Sequence, residues 1–315
     1  MTEELNIAQK EKPMKSSGEV SMVPQISPTS YYGNPILKSP TWKADIPTYF
    51  IVGGLSGASA TLALGAQFSG NLSLANRSRV TALVGMGISS VFLIKDLGRP
   101  DRFYNMLRVI KPTSPMSIGT WVISIFSPAL AVGIASDLFS VFPFLGSAAN
   151  IVSGVLGPVV STYTAVLISN TAVPVWHEAR KELPFVFAAS SASSAGGLAT
   201  FLGKKHSIGQ ASRVSVLAAV AELFMTSYMD NKLGFFARPY KENKKASLLS
   251  KLSKASAVIG IVSTIKTHNP WVKRLGGLCF VASSAFLRFS IFEAGIESTK
   301  DPSYVVEGQK LNRAQ

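Results

Sequence analysis

The sequence is poor in cysteine, the residue that builds disulfide, zinc and iron–sulfur centres. It contains one cysteine, Cys279, among 315 residues. A single thiol excludes a disulfide framework, a zinc cage and an iron–sulfur cluster held by this chain, because such a cluster takes about four thiolates. We therefore expect no metal site and no bound iron–sulfur cluster.

Charge is also scarce. Charged residues make up 15% of the chain, against roughly 25% in a typical soluble domain. Hydrophobic residues reach 47%, and the 18 phenylalanines alone outnumber the 17 acidic residues. The mean hydropathy is +0.29. This composition indicates an integral membrane protein and excludes a disordered, collagenous or coiled-coil chain.

The net charge of +14 does not indicate nucleic-acid binding. The basic residues lie between long uncharged stretches, and they form no stripe that could follow a phosphate backbone. This pattern is typical of loops that flank membrane spans. We expect membrane lipid, and no nucleic acid, to contact this chain.

Eight stretches are apolar enough to form transmembrane helices, each of which takes about 20 residues. The stretch from Leu138 to Trp176 is uncharged but too long for one helix, so 138–148 is interpreted as a hydrophobic turn. Arg79 and Lys95 bound the second stretch, and their long side chains are expected to snorkel outward. The predicted spans are 46–69, 80–94, 112–136, 149–173, 183–203, 214–229, 248–265 and 275–292.

The predicted fold is therefore all-α: a polytopic membrane protein with eight transmembrane helices, expected to form two four-helix bundles. Residues 1–45 are predicted to be a largely disordered polar tail, 46–293 the membrane domain and 294–315 a C-terminal tail. The DLGRP run that begins at Asp96 resembles the spaced residues that follow Asp230. This short match is consistent with a four-plus-four internal repeat.

The distribution of basic residues predicts the orientation in the membrane. An even number of spans places both termini on one side, which receives 22 of the 31 basic residues, while the other side receives 8 and Arg288 lies inside a span. Lysine and arginine are concentrated in cytoplasmic loops. We therefore predict a multi-pass protein of the cell membrane with both termini in the cytoplasm.

Glu222 and Arg288 lie deep inside predicted spans, where charge is costly and marks functional candidates; Lys251 and Lys254, near the start of the seventh span, are expected to bury only their stems. Glu222, near the middle of the sixth span, is either a group that transfers protons or a protonated carboxyl hydrogen-bonded to a neighbouring helix. Arg288 interrupts the eighth span and is a possible counter-ion, a snorkelling residue or a ligand contact. Glu293, at the end of the same span, is a second possible counter-ion.

Charged and aromatic residues also collect at the span ends that share a side with the termini. Asp45, Asp96, His177 and Glu178 lie there, and a carboxylate and an imidazole could exchange protons with a redox-active headgroup. Helix capping and solvated charge are the alternative. His206 and His268 fall on the other side from His177, so bis-histidine haem ligation is not expected.

Four stretches resemble the NrfD/PsrC family of membrane subunits, the quinone-interacting anchors of molybdopterin and iron–sulfur oxidoreductases such as polysulfide reductases. The resemblance extends from about Tyr31 to Tyr304. The stretches are YYGNPILKSPTWKADIPTYF from Tyr31, IKDLGRPDRFYNMLRVIKPTSPMSIGTW from Ile94, TAVPVWHEARKELPFVF from Thr171 and RFSIFEAGIESTKDPSY from Arg288.

The resemblance implies an eight-helix bundle without a redox cofactor of its own, which exchanges electrons with the quinone/quinol pool. It also implies two partners, a ferredoxin-like iron–sulfur subunit and a molybdopterin catalytic subunit. The predicted quinone-binding residues are Asp96, Arg99, Trp176, His177 and Glu178. Asp96 is also expected to take part in proton transfer. Glu222 is expected to do the same, but this expectation rests on the cost of placing a charge inside a span and not on the resemblance.

The loop over 95–111 is predicted to dock the iron–sulfur subunit. It holds five basic residues and two acids, so its positive charge would complement an acidic partner. The docking residues proposed are Arg102, Arg108 and Lys111. In the best-known relatives this partner lies outside the cytoplasm, whereas the basic residues here favour a cytoplasmic partner.

Two other functions stay open. An ion or solute transporter would explain Glu222 and the possible repeat. A purely structural membrane anchor would hold a catalytic partner without binding quinone. The terminal substrate of the complex would belong to the partner subunit, so this chain does not reveal it.

Overall fold

The computed structural model describes residues 35–42, 44–267 and 269–313, without the side chains at 205, 206 and 310–313. The predicted N-terminal tail lies mostly outside these residues, as do the side chains of His206 and His268. In chain order the helices are α1 (Asp45–Phe68), α2 (Leu72–Asp96), a 3₁₀ helix (Pro100–Arg108), α3 (Pro115–Phe139), α4 (Pro143–Ser169), α5 (Pro174–Glu178), α6 (Leu183–Leu202), α7 (Lys205–Leu233), a second 3₁₀ helix (Gly234–Ala237), α8 (Arg238–Glu242), α9 (Lys244–Ile265), α10 (Pro270–Ser298) and α11 (Pro302–Arg313).

Eight of these helices are long and apolar enough to cross a membrane within the described part of the chain: α1 to α4, α6, α7, α9 and α10. This confirms the predicted all-α fold with eight candidate membrane-spanning helices. An α-helix pairs its internal backbone N–H and C=O groups with one another, which is required in an environment without water. We name the end of the molecule where α1 begins and α10 ends the terminal face, and the other end the opposite face.

The connection between α3 and α4 is shorter than predicted. The predicted turn over 138–148 is wrong, because only residues 140–142 interrupt the helices. Ser140 and Phe142 adopt left-handed conformations with φ of 56° and 50°, and Pro143 opens α4 at a position that needs no backbone donor. Ser136 closes the turn by donating its hydroxyl to the carbonyls of Val141 (2.8 Å) and Phe142 (3.2 Å).

Helix α2 begins earlier than predicted and buries Arg79. Asn71 caps the helix by accepting a hydrogen bond from the Leu74 backbone N–H at 3.1 Å. Arg79 is 5% exposed. Its guanidinium donates to Asn76 Oδ1 at 3.0 Å and pairs with Asp137 of α3 and Gln67 of α1. The predicted snorkelling of Arg79 is therefore wrong, because three helices supply its polar partners.

The helices pair in the same way in each half of the chain. In the first half α1 packs on α2 and α4, and α4 packs on α3; in the second half α6 packs on α7 and α10, and α10 packs on α9. Glycine pairs set the closest approaches. A Cβ on Gly157 would lie 2.3 Å from the carbonyl of Gly57, and one on Gly277 would lie 2.4 Å from the carbonyl of Gly197. This matched packing supports the predicted repeat.

The chain stays helical beyond the end of the predicted eighth span. Helix α10 continues to Ser298, and α11 then packs beside the 3₁₀ helix that follows α7. The ring of Tyr304 in α11 lies 5.0 Å from that of Phe235 and 6.3 Å from that of Phe236. Burial raises the pKa of the Tyr304 phenol to about 12. The range predicted as a C-terminal tail therefore contains packed helix.

Candidate functional site

A polar centre lies between α6, α7 and α10, and Arg288 is its largest member. The residue is 1% exposed. Its Nη1 donates to Ser190 Oγ at 2.9 Å and to the hydroxyl of Ser284, and its Nη2 donates to Ser191 Oγ at 2.6 Å. The guanidinium carbon lies 4.8 Å from the centre of the Phe187 ring. Arg288 is therefore solvated by protein groups and does not snorkel.

Glu222 of α7 is the acidic member of the polar centre. It is 2% exposed, and its Oε1 accepts a hydrogen bond from Ser283 Oγ at 2.8 Å. Its Oε2 has no hydrogen-bond partner in the described part of the chain. Arg288 interacts with it electrostatically, and Ser190 lies beside the carboxylate. The centre can thus hold a proton or pass it on, because one carboxylate oxygen is free.

Helix α1 closes the polar centre from the other half of the molecule. A Cβ on Gly54 would lie 2.5 Å from Ser191 Oγ and 2.8 Å from Arg288 Nη2. Ser161 of α4 donates to the carbonyl of this glycine at 3.2 Å. Only a residue without a side chain lets α1 approach the guanidinium this closely.

Asp96 lies at the terminal face, where α1 and α2 meet. Lys95 donates to Asp45 Oδ1 at 3.0 Å, and Asp45 acts electrostatically on the half-buried Asp96. A cavity of about 190 Å³ opens between α2, α3 and the 3₁₀ helix, and Leu97, which follows Asp96 in the chain, is one of its lining residues. Its lining is mainly apolar, with three hydroxyl-bearing residues, and comprises Ser90, Leu93, Ile94, Leu97, Phe103, Met106, Leu107, Thr120, Ile123 and Ser124. We call it the α2–α3 slot.

The slot fits part of a small hydrophobic molecule. Whole small-molecule sites measure roughly 300–1,000 Å³, so about 190 Å³ suits one ring or a stretch of isoprenoid tail. Phe103 and Leu107 are 45% and 38% exposed, which leaves the slot accessible from outside. The residues present are therefore compatible with a quinone.

Trp176 is packed on every side. It is 0% exposed, it stacks between the rings of Trp42 (6.1 Å) and Phe292 (5.9 Å), and its Nε1 donates to the Ile291 carbonyl at 2.8 Å. A Cβ on Gly295 would lie 2.0 Å from the indole. The indole therefore fixes α5 against α10, and it presents no free surface to a ligand.

The remaining predicted residues are spread over the terminal face. His177 is exposed and Glu178 is half-buried on α5, and Glu293 is half-buried on α10. No hydrogen bond or ion pair joins Asp96 to His177 or Glu178 among residues 35–42, 44–267 and 269–313. Four basic residues of the loop after α2 are all exposed: Arg99, Arg102, Arg108 and Lys111.

Comparison with known proteins places the chain in a family. Residues 37–229 match a family model described as "Polysulphide reductase, NrfD". This range covers more than half of the chain. The chain belongs to the NrfD family. A search of curated proteins finds no match.

The match to the NrfD family includes the slot and part of the polar centre. Asp96, the α2–α3 slot, α5 and Glu222 lie within residues 37–229. Arg288 and Ser283 lie beyond it, on α10. The family match therefore covers Asp96 and α5, whereas the pairing of Glu222 with Arg288 rests on the geometry alone.

Sequence reasoning about this NrfD member missed the groups that solvate its buried charges. Serine pairs of α6 and α10 surround Arg288, and they could have been found as paired hydroxyls inside apolar runs that also hold a charge. It also missed Glu182, which is 7% exposed and forms an ion pair with Lys232 at the terminal face. No spacing rule connects residues so far apart in the chain.

The polar centre predicts a non-additive effect on stability. Arg288→Met leaves Glu222 and several serines buried without their cation, and we expect it to lower the free energy of unfolding by about 3–5 kcal/mol. Adding Glu222→Gln should recover part of this loss, because the uncompensated carboxylate is removed. The measurement is denaturant unfolding in detergent micelles, with the exposed Arg102→Met as control. Strictly additive effects would show that the two residues do not interact.

Proposed function

We propose that this chain is the quinone-reactive membrane subunit of an oxidoreductase complex. The single observation that carries the proposal is the α2–α3 slot, whose lining includes Leu97 of the DLGRP run, the residue that follows Asp96. A quinone needs an apolar slot for its tail and polar partners for its carbonyl oxygens. Membership of the NrfD family supplies the context for this chemistry.

Asp96 is the proposed partner of the quinone headgroup. Quinol oxidation releases two electrons and two protons, so a titratable group at the headgroup and a route to water are both needed. Asp96 is half-buried at the end of α2, next to slot residue Leu97 and close to the exposed loop. Arg99, His177 and Glu178 are further candidates at the same face, where they could complete the site when a partner docks.

Glu222 is proposed to relay protons rather than to contact the headgroup. It lies on α7 in the second half of the chain, whereas the slot is built by α2 and α3. Its unpartnered Oε2 could take up a proton that arrives through a chain of water molecules and later release it. A relay role predicts slower turnover with unchanged quinone affinity in Glu222→Gln.

The basic loop after α2 is proposed to dock a ferredoxin-like iron–sulfur subunit, with a molybdopterin subunit beyond it. Arg102, Arg108 and Lys111 are exposed on one short segment, and no side-chain partner is found for them in the described part of the chain. Docking there would bring a cluster close to the slot. We further propose that the terminal face lies in the cytoplasm, because it carries most of the basic residues.

The quinone proposal is tested by filling the slot. Ser90→Leu adds a side chain inside it, whereas Gly87→Leu adds the same group on α2 where a Cβ meets nothing within 4 Å. Asp96→Asn should weaken quinol binding about 5- to 150-fold, the effect of losing one polar partner. Asp101→Asn on the same loop should have little effect.

The measurement is quinol oxidation by the purified complex together with inhibitor titration. Ser90→Leu and Asp96→Asn should reduce activity without loss of assembly, and both controls should retain it. Full activity in both Ser90→Leu and Asp96→Asn would exclude the slot as the quinone site. The remaining function would then be a purely structural membrane anchor.

The docking proposal is tested by charge reversal. Arg102→Glu combined with Arg108→Glu should release the iron–sulfur subunit during purification, and lower salt should worsen the release, because repulsion replaces attraction. The control is Lys204→Glu combined with Lys266→Glu, which makes the same change in charge at the opposite face. Co-purification at full stoichiometry in the first double variant would show that this loop is not the docking surface.

The orientation is tested with reporter fusions. A fusion after Lys245, between α8 and the body of α9, should report the cytoplasm, and fusions after Gly70 or Lys266 should report the outside. An enzymatic reporter and a fluorescent reporter should assign each of the three positions to the same side of the membrane. Reversal at all three positions would place the partner on the outer side of the membrane.

A further inference from the structure

A groove at the opposite face is separate from both the slot and the polar centre. It lies between the start of α7, the end of α9 and the start of α10, and its volume is about 380 Å³. Arg213 and Lys273 contribute cations, Thr264 a hydroxyl, and Val216, Leu217 and Ile265 an apolar wall. We call it the α7–α9–α10 groove.

The groove lies at the depth where polar headgroups meet hydrocarbon. Arg213 directly precedes the uncharged run of α7 that begins at Val214. Ile265 ends the uncharged run of α9, and the uncharged run of α10 begins directly after Lys273 and Arg274. Three helices therefore change from polar to apolar at the groove. Trp271, which is 68% exposed on the same rim, is the residue type enriched at this interface.

The two cations of the groove have no protein partner. Arg213 is exposed and Lys273 is half-buried, and neither forms a hydrogen bond or an ion pair within the described ranges. No carboxylate lines the groove. By contrast, nearby Arg274 stacks on Trp271 at 5.0 Å and donates to the Gly203 carbonyl at 3.0 Å. The groove therefore presents unneutralised positive charge.

Thr264 lies in the wall of the groove, but its hydroxyl faces the neighbouring helix. It is 4% exposed, and its Oγ1 is buried without a hydrogen-bond partner in the described part of the chain. A Cβ on Gly276 would lie 2.8 Å from this Oγ1, so the hydroxyl lies against the α10 backbone. Thr264 therefore shapes the wall, and the two cations are the groups that can recognise a ligand.

We propose that the α7–α9–α10 groove binds an anionic phospholipid. The phosphate would lie between Arg213 and Lys273. One acyl chain would cover Leu217 and Ile265, which are 72% and 63% exposed. Two cations without a carboxylate favour a headgroup of net negative charge over a zwitterionic one, whose amine they would repel.

The test uses the full-length protein, delipidated in detergent and titrated with phosphatidylglycerol or phosphatidylcholine by native mass spectrometry. Arg213→Gln combined with Lys273→Gln should weaken phosphatidylglycerol binding at least about tenfold. Thr264→Val keeps the shape of the side chain and removes only a hydroxyl that faces α10, so it should leave binding unchanged. Lys204→Gln combined with Lys266→Gln removes equal charge from the same face outside the groove and should leave binding unchanged.

Three results would overturn the proposal. Equal losses in both double variants would indicate unspecific attraction to the basic face. Equal binding of both lipids, or binding of glycerol phosphate as tight as that of the lipid, would exclude an anionic phospholipid as the preferred ligand. Melting curves of each variant ensure that a change in binding is not a change in folding.

Discussion

The buried guanidinium of Arg288 is the constraint on which the second half of the molecule depends. A charge among apolar helices has to be solvated by the protein, since neither water nor lipid can do so. The hydroxyls of α6 and α10 take this role, with Ser190, Ser191 and Ser284 as acceptors. Small residues on these helices allow the close approach that short side chains need to reach the guanidinium.

The same packing scheme supports different interiors in the two halves. Glycine contacts join α1 to α4 and α6 to α10 in the same manner. In the first half the core near the terminal face is aromatic, with Tyr49 6.4 Å from Tyr163 and 5.6 Å from Phe50. In the second half Arg288 and Glu222 occupy the interior. The shared scaffold therefore carries the slot in the first half and the buried pair of Arg288 and Glu222 in the second, while the buried charge of the first half, Arg79, lies near the opposite face.

The sequence predicted which segments are helical better than where each helix ends. Uncharged runs located all eight spans, because hydrocarbon demands apolar side chains over a fixed length. The start of α2 could not be read in this way, since Arg79 is compensated by Asp137 and Gln67 on other helices. The resemblance implied that Trp176 binds quinone, but the burial of this indole depends on Trp42, Phe292 and Gly295 from distant segments.

Helix α1 packs on α2, which lines the slot, and on α6 and α10 of the polar centre. Two consecutive glycines make the contacts: a Cβ on Gly53 would lie 2.8 Å from Ser89 Oγ of α2, and one on Gly54 would meet Arg288. Ser89 precedes Ser90, which lines the slot. A displacement of α2 at the slot would press on α1 at the position where α1 touches the guanidinium, because neither glycine has a side chain to absorb it. The two candidate sites are thus mechanically adjacent, although they belong to different halves of the chain.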